Sequence, residues 1–323
     1  MRGSISHILV SAALATVFPS SVNAQGEKKS EAVPTSDFQV LVRQFDYDSK
    51  RPLDYSDTVN QTKNGVTIHD LQYASPKSGR VTAYLVVPEG KGPFVPIVFG
   101  HWGPGNRTEF LPEALFYAKA GAISLLVDYP WVRPAPWRRG VPNFDKPELD
   151  HEIYIQTVVD IRRGIDLLLA RKDVDPKRLA YVGHSYGAQW GAILSAVDER
   201  IKTAVLIGGV AEEADILLRN QDPDLVELRK HAPPGQIERY VEVNALLDAI
   251  RYVGHARAPL LFQFANYERY FDRASMEKYF QAASEPKQVS WYDTGHELND
   301  LQALADRYRW LSEHVGLKAR PLF

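Results

Sequence analysis

The chain has 323 residues, of which 45% are hydrophobic and 24% charged, a globular composition that excludes disordered, collagen-like and coiled-coil proteins. Its 38 Lys and Arg residues nearly balance 40 Asp and Glu residues, giving a net charge of −2, so nucleic acid is not an expected partner. The sequence contains no cysteine, which excludes disulfides, thiolate metal sites and a cysteine nucleophile.

The first 24 residues have the pattern of a secretory signal peptide. Arg2 precedes an apolar run from Ile8 to Phe18, and small residues at Val22 and Ala24 suit a signal peptidase. The run is too short for a membrane anchor, which needs about 20 apolar residues. We therefore expect cleavage after Ala24 and a secreted or periplasmic product without an integral membrane segment.

The segment that follows, residues 25–37, is polar and is predicted to be a flexible leader. One domain is predicted over residues 38–323. It opens with two runs of alternating apolar residues, Val66–Tyr73 and Val81–Val87, separated by turn-forming residues 76–79. This spacing predicts an antiparallel hairpin.

Beyond the hairpin, short continuous apolar runs alternate with helical stretches, the pattern of parallel strands buried on both faces. Strands are predicted at Phe94–Phe99, Ala122–Val127, Leu179–Val182, Thr203–Ile207, Leu260–Phe264 and Val289–Tyr292, and helices at Glu109–Ala120, Glu152–Ala170, Ala188–Ala196 and Asp300–His314. The fold class is therefore α/β, a mostly parallel central sheet with helices on both faces. Proline and glycine breaks within residues 212–256 predict two or three inserted helices, a small lid.

The most informative motif is Gly-His-Ser-Tyr-Gly at residues 183–187. It lies between a predicted buried strand and a predicted helix, which is the setting of a nucleophile elbow centred on Ser185. A strand that turns sharply into a helix crowds the positions two before and two after the serine, so Gly183 and Gly187 are expected where a Cβ would clash. The alternative interpretation is a turn serine that serves only tight packing.

With this elbow the sequence resembles the α/β-hydrolases, most closely the secreted enzymes similar to dienelactone hydrolases, acetyl xylan esterases and prolyl-oligopeptidase-like catalytic domains. The resemblance spans residues 66–316, and its specific part runs from Asp173 to Gly187. It implies the α/β-hydrolase fold, a serine nucleophile and hydrolysis of an acyl bond, and it implies neither a cofactor nor a metal.

A serine nucleophile needs a histidine to remove its proton, and nine histidines are available. His296 follows the last predicted strand in a loop before the last helix, where the family places its base. His314 lies within the final helix and His255 at the exit from the lid, so both are weaker candidates. His184 is expected to point away from the turn.

The acid that orients the base should follow the strand Leu260–Phe264, since the order in this family is serine, acid, histidine. Family members commonly carry aspartate near the fourth residue past this strand, and here that position holds Glu268. A glutamate side chain is longer and less pre-organised than aspartate. Asp272 is the alternative acid, and a third interpretation makes Glu268 a solvated loop charge.

The oxyanion of a tetrahedral intermediate needs two N–H donors. The resemblance assigns the first to Tyr186, directly after the nucleophile. The second should come from the loop Gly100–Gly105, which resembles a His-Gly-Gly-Pro-Gly loop with Trp102 in place of a glycine. Both Trp102 and Gly103 are therefore candidate donors.

The loop 128–144 is rich in aromatic and basic residues and follows the carboxyl end of a predicted strand, the edge where open α/β sheets bind ligands. Trp131, Trp137 and Arg138 are predicted to bind substrate, because rings suit an apolar acyl group or a sugar face and arginine suits a carboxylate. Alternatively, the tryptophans anchor the loop and the arginines are solvated.

Three functions fit these observations. The first is a secreted serine esterase that cleaves a small-molecule or carbohydrate ester through an acyl-enzyme. The second is a serine peptidase of prolyl-oligopeptidase type, and the third is a catalytically silent hydrolase fold used for binding. The sequence does not indicate an oligomeric state.

Overall fold

A single sheet of nine strands runs through the described part of the chain, residues 35–318 of a computed structural model. The strands are β1 Tyr55–Lys63, β2 Val66–Ala74, β3 Arg80–Pro88, β4 Val95–Gly100, β5 Ala122–Val127, β6 Ala180–His184, β7 Thr203–Ile207, β8 Leu260–Ala265 and β9 Lys287–Tyr292. Their order in the sheet is β1-β2-β3-β5-β4-β6-β7-β8-β9. Strands β4 to β9 pair in parallel, whereas β1, β2 and β3 form an antiparallel edge that joins β5.

Helices cover both faces of this sheet. They are α1 Thr35–Arg43, α2 Leu111–Lys119, α3 Pro147–Leu169, α4 Tyr186–Val197, α5 Pro223–His231, α6 Gln236–Asn244, α7 Ile250–Val253, α8 Arg273–Ala282 and α9 Leu301–Val315. Apolar residues of α3, α4 and α8 belong to one buried cluster, and those of α2 and α9 belong to a second. The predicted fold class is confirmed.

Besides α1, two elements were not anticipated from the sequence. Strand β1 pairs with β2, but every one of its residues is exposed, so its polar sequence shows no apolar alternation. Helix α8 connects β8 to β9 and buries only Ser275, Met276 and Tyr279, too few residues for a recognisable period. The predicted hairpin is confirmed as β2 and β3.

Helix α1 begins slightly before the predicted start of the domain at residue 38. The proposed signal peptide 1–24 and leader residues 25–34 fall outside the described residues, but α1 begins at Thr35, inside the predicted leader. Phe38 is 6% exposed, and its ring stacks on His255 with a centroid separation of 3.7 Å. This buried contact fixes the helix and gives His255 a packing role.

The inserted segment between β7 and β8 consists of helices, as predicted for the lid. It contains a π-helical turn at Asp215–Arg219, then α5 and α6, a 3-10 turn at Ala245–Leu247, and α7. Within residues 35–318, every helix is too short or too polar to cross a membrane.

A buried ion pair fixes the loop after β5 against α3. Arg133 Nη2 donates to Asp160 Oδ2 at 2.7 Å, and each side chain is 1% exposed. Ser75 Oγ donates to the other carboxylate oxygen at 2.6 Å, which ties the turn between β2 and β3 to the same helix. Burial raises the pKa of Asp160, and the Arg133 guanidinium opposes that rise.

We expect Arg133→Met to lower the free energy of unfolding by about 3 to 5 kcal/mol, because Asp160 would remain buried without a counter-charge. Urea denaturation measures the change. The double variant Arg133→Met/Asp160→Leu should be clearly more stable than the single variant, since it removes both buried charges. Equal stability of the two variants would contradict this account.

Candidate active site

Ser185 occupies a strained turn between β6 and α4. Its φ is 55° and its ψ −113°, a left-handed conformation that residues other than glycine seldom adopt. The backbone N–H of Ser185 donates to the carbonyl oxygen of Ile207 at 2.8 Å, at the end of β7. The serine is therefore held at the carboxyl edge of the parallel strands, as a nucleophile elbow requires.

The two glycines that flank the elbow sit where no side chain fits. A Cβ on Gly183 would clash with the carbonyl group of Gly187, and a Cβ on Gly187 would clash with the carbonyl group of Gly100. The expected crowding is confirmed, and the second contact also packs the elbow against the end of β4.

His296 and Glu268 form a buried hydrogen-bonded pair. His296 Nδ1 lies 2.7 Å from Glu268 Oε2, and the two side chains are 5% and 1% exposed. The other oxygen, Oε1, accepts the backbone N–H groups of Arg269 at 2.9 Å and Tyr270 at 3.0 Å. Because the carboxylate accepts from Nδ1, the histidine is held in the tautomer that leaves Nε2 able to take a proton.

The alternative acid, Asp272, is used differently. It is the N-cap of α8, and its Oδ1 accepts the N–H of Ser275 at 2.7 Å. Glu268 is not a solvated loop charge either, because its carboxyl group is buried. The geometry therefore assigns Glu268, and not Asp272, to the ring of His296.

Ser185 and His296 both lie next to the end of β7. The carbonyl of Ile207 accepts from Ser185, and a Cβ placed on the next residue, Gly208, would lie 3.3 Å from Cε1 of His296. The ring of Phe271 packs edge-on to that of His296, with centroids 5.3 Å apart, and Phe271 also lines a small cavity beside Ser185. The predicted nucleophile, base and acid thus share one edge of the sheet.

The loop after β4 corrects one of the predicted oxyanion donors. The backbone N–H of Trp102 donates to Glu109 Oε2 at 2.7 Å, so this group is already engaged. Gly103 lies against Tyr186, since a Cβ placed on it would be 2.8 Å from the tyrosine ring, and its carbonyl oxygen accepts from Trp131 Nε1 at 2.8 Å. Of the two candidates, the geometry favours the N–H of Gly103, because that of Trp102 already donates to Glu109.

His184 and Glu109 form a link that sequence reasoning missed. His184 Nδ1 lies 2.7 Å from Glu109 Oε1, and its Nε2 lies 2.8 Å from the carbonyl oxygen of His296. The ring does leave the turn, as expected, but it supports the loop of the base. The position of His184 next to the nucleophile could have indicated a supporting role for this residue. Nothing in the sequence distinguished Glu109 from the other acidic residues.

Trp131 lies near the site, but as a support. It is 5% exposed, holds the Gly103 carbonyl, and its ring packs edge-on to that of Tyr186. The anchoring alternative therefore describes Trp131 better than substrate contact does.

The other two predicted substrate residues, Trp137 and Arg138, lie elsewhere. They line a separate cavity of about 800 Å³ together with Lys77 and Glu152, and Ser185 is not part of its wall. Arg138 Nε donates to the carbonyl oxygen of Arg133 at 2.7 Å, which turns this end of the loop toward the β2–β3 side. The structure does not bring Trp137 or Arg138 to the nucleophile.

The fold and part of the sequence match known proteins. Residues 41–130 match the family model described as acetyl xylan esterase (AXE1). This part contains the antiparallel strands and the loop after β4 but not Ser185. No curated protein matches the sequence.

Solved structures match over most of the chain. An acetyl xylan esterase from Paenibacillus sp. R4 is 21% identical with a TM-score of 0.69, covering 86% of this chain and 92% of its own. Acetyl xylan esterase 1 from Thermoanaerobacterium sp. JW/SL YS485 is 14% identical with a TM-score of 0.71, covering 88% and 94%. A putative dienelactone hydrolase from Klebsiella pneumoniae subsp. pneumoniae MGH 78578 is 15% identical with a TM-score of 0.55, covering 78% and 99%. The chain has the α/β-hydrolase fold.

We expect Gly187→Ala to destabilise the protein by about 1 to 3 kcal/mol, because the new methyl group would be forced against the Gly100 carbonyl. Chemical denaturation measures this. Gly140→Ala is the matched control, since a Cβ there meets no atom of the described residues within 4 Å. Equal effects of the two substitutions would show that the elbow is not crowded.

Proposed function

We propose that this protein is a serine hydrolase of carboxylic esters that works through an acyl-enzyme. The observation that carries the proposal is the buried hydrogen bond between His296 and Glu268 at the sheet edge that holds Ser185 in its strained turn. The match of residues 41–130 to the acetyl xylan esterase model supports an ester as the substrate.

In the proposed reaction, Ser185 Oγ attacks the ester carbonyl carbon while His296 Nε2 takes the hydroxyl proton. The N–H groups of Tyr186 and Gly103 stabilise the oxyanion of the tetrahedral intermediate. As the intermediate collapses, the C–O bond to the alcohol breaks and His296 returns the proton to the leaving oxygen. A water then attacks the acyl-enzyme by the same path, releasing the acid and free Ser185.

The space beside the nucleophile supports a short acyl group. The cavity that Ser185 lines has a volume of about 30 Å³, and Ile216 and Phe271 are among its apolar lining residues. One water-sized sphere needs about 10 to 15 Å³ of such space, so the cavity holds a group of two or three heavy atoms. The alcohol, of a small molecule or a carbohydrate, would lie outside it.

Export is part of the proposal and rests on the pattern of residues 1–24. Expression of the full chain in a secreting bacterium, followed by amino-terminal sequencing of the exported protein, should give a chain that starts at Gln25. A product that retains Met1 inside the cell would contradict it.

The decisive experiment compares the protein with its Ser185→Ala variant on p-nitrophenyl esters of increasing acyl length. We expect turnover that is highest for acetate, falls with longer chains and is abolished in the variant. A fluorophosphonate probe should label Ser185. If no ester is cleaved and no label is found, the silent-fold hypothesis is favoured, whereas cleavage of peptides with no ester turnover would favour the peptidase.

The role of Glu268 is tested by Glu268→Gln. We expect kcat to fall by about 10³- to 10⁴-fold, because an amide cannot hold the productive tautomer of His296 or stabilise the imidazolium. Steady-state kinetics measure this, and circular dichroism with thermal unfolding reports an intact fold. Asp272→Asn is the matched control. It should retain kcat to within about 3-fold, since Asp272 only caps α8. A larger effect at Asp272 would reverse the assignment.

A further inference from the structure

The cavity beside Ser185 contains a buried carboxyl group that the proposed mechanism does not use. Its wall is formed by Ser185, Tyr186, Gln189, Val210, Glu213, Ile216 and Phe271. Most of this wall is apolar. Glu213 supplies the carboxyl group of this wall, and it stands at the start of the helical segment inserted between β7 and β8.

Glu213 is buried without a side-chain partner. It is 7% exposed, and its backbone N–H donates to Asp248 Oδ1 at 2.9 Å. Among residues 35–318, no side chain or backbone group hydrogen-bonds to its carboxyl oxygens, although most buried polar groups are paired. A buried carboxyl group without a partner can form its hydrogen bonds with a group that enters the cavity. It lowers the affinity for an occupant that cannot form a hydrogen bond, because the carboxyl group then stays unpaired.

The surroundings favour the neutral carboxyl group. Burial raises the pKa of Glu213 to about 8, and the Asp248 carboxylate adds to that rise. The hydroxyls of Tyr154 on α3, Tyr186 on α4 and Tyr240 on α6 also lie within electrostatic range of Glu213. At neutral pH the group can therefore both donate and accept a hydrogen bond.

The size of the cavity decides which part of an ester reaches this carboxyl group. A volume of about 30 Å³ excludes a sugar or an aromatic alcohol but holds a short acyl chain. With Ser185 bonded to the carbonyl carbon, the next one or two atoms of the acyl group must share the cavity with Glu213.

We propose that Glu213 is a specificity-determining residue that hydrogen-bonds a hydroxyl on the acyl group, so that the enzyme prefers short hydroxyacyl esters to alkyl esters of the same size. The inference rests on the proposed esterase function and deepens it. The class of substrate is an ester of glycolic acid or a similar 2-hydroxy acid.

The test compares phenyl glycolate with phenyl propionate, which differ only by a hydroxyl in place of a methyl group. We expect the unmodified protein to favour the glycolate in kcat/KM. Glu213→Met removes the polar group at similar volume and should lower that preference by roughly 2- to 10-fold, the range of one neutral hydrogen bond. Glu213→Gln keeps donor and acceptor and should retain the preference to within about 2-fold.

A pH profile separates this role from a merely structural one. As pH rises through about 8, Glu213 loses its proton, and its negative charge would then oppose the oxyanion that forms at Ser185. We expect kcat of the unmodified protein to fall on the alkaline side for both esters. The side chain introduced by Glu213→Gln cannot ionise, so this variant should lack the fall in kcat. Asp248, whose pKa burial raises to about 7, is present in both proteins, so its ionisation cannot account for a difference between them.

Glu212→Gln is the matched control. Glu212 pairs with Arg219 and Lys278 and does not line the cavity, so this variant should keep both the substrate preference and the alkaline fall. Turnover of both esters with no preference for glycolate, or a preference that Glu213→Met leaves unchanged, overturns the proposal while leaving the esterase function standing. Absence of turnover on any ester, with no labelling of Ser185, would instead remove the function on which it rests.

Discussion

The ring of His184 links the nucleophile to its base. Its Nε2 lies 2.8 Å from the carbonyl oxygen of His296, and the next residue in the chain is Ser185. Its Nδ1 meets Glu109, whose second carboxylate oxygen takes the N–H of Trp102. One ring and one carboxylate therefore join the loops after β4, β6 and β9. Since a displacement of about 1 Å can cost a hundredfold in rate, this link constrains the geometry on which the proposed chemistry depends.

The parts of the fold that follow from local pattern were predictable. Strands that are buried on both faces can be recognised in the sequence as continuous apolar runs. The crowding at Gly183 and Gly187 follows from the geometry of a strand–turn–helix alone. Strand β1 was not predictable, because it is held by backbone pairing and both of its faces are exposed. The side chains of β1 therefore show no pattern of apolar residues from which a strand could be predicted.

The parts of the site that depend on long-range contacts were not predictable. Glu109 and His184 are 75 residues apart and meet only because β4 and β6 are neighbours in the sheet. The direction of the loop after β5 is set by Arg133 on Asp160 and by Arg139 on Gln156, ion and hydrogen bonds to a helix that follows later in the chain. A loop with tryptophans and arginines after a strand looks like a binding loop until those partners are known.

The glutamate at position 268 shows how such contacts offset a less favourable residue. A glutamate side chain has one more rotatable bond than aspartate, and fixing a free glutamate requires up to about 2 kcal/mol of rotamer entropy. Here Oε1 is fixed by two successive backbone N–H groups, those of Arg269 and Tyr270, and only Oε2 faces His296. The ordering is therefore completed during folding rather than in the reaction. An aspartate at this position is shorter by one methylene group. Its carboxylate could not reach both the backbone N–H groups and the ring of His296. The glutamate that stands where the resemblance predicts an aspartate thus comes with a backbone arranged to hold the longer side chain, and it is no argument that the site is silent.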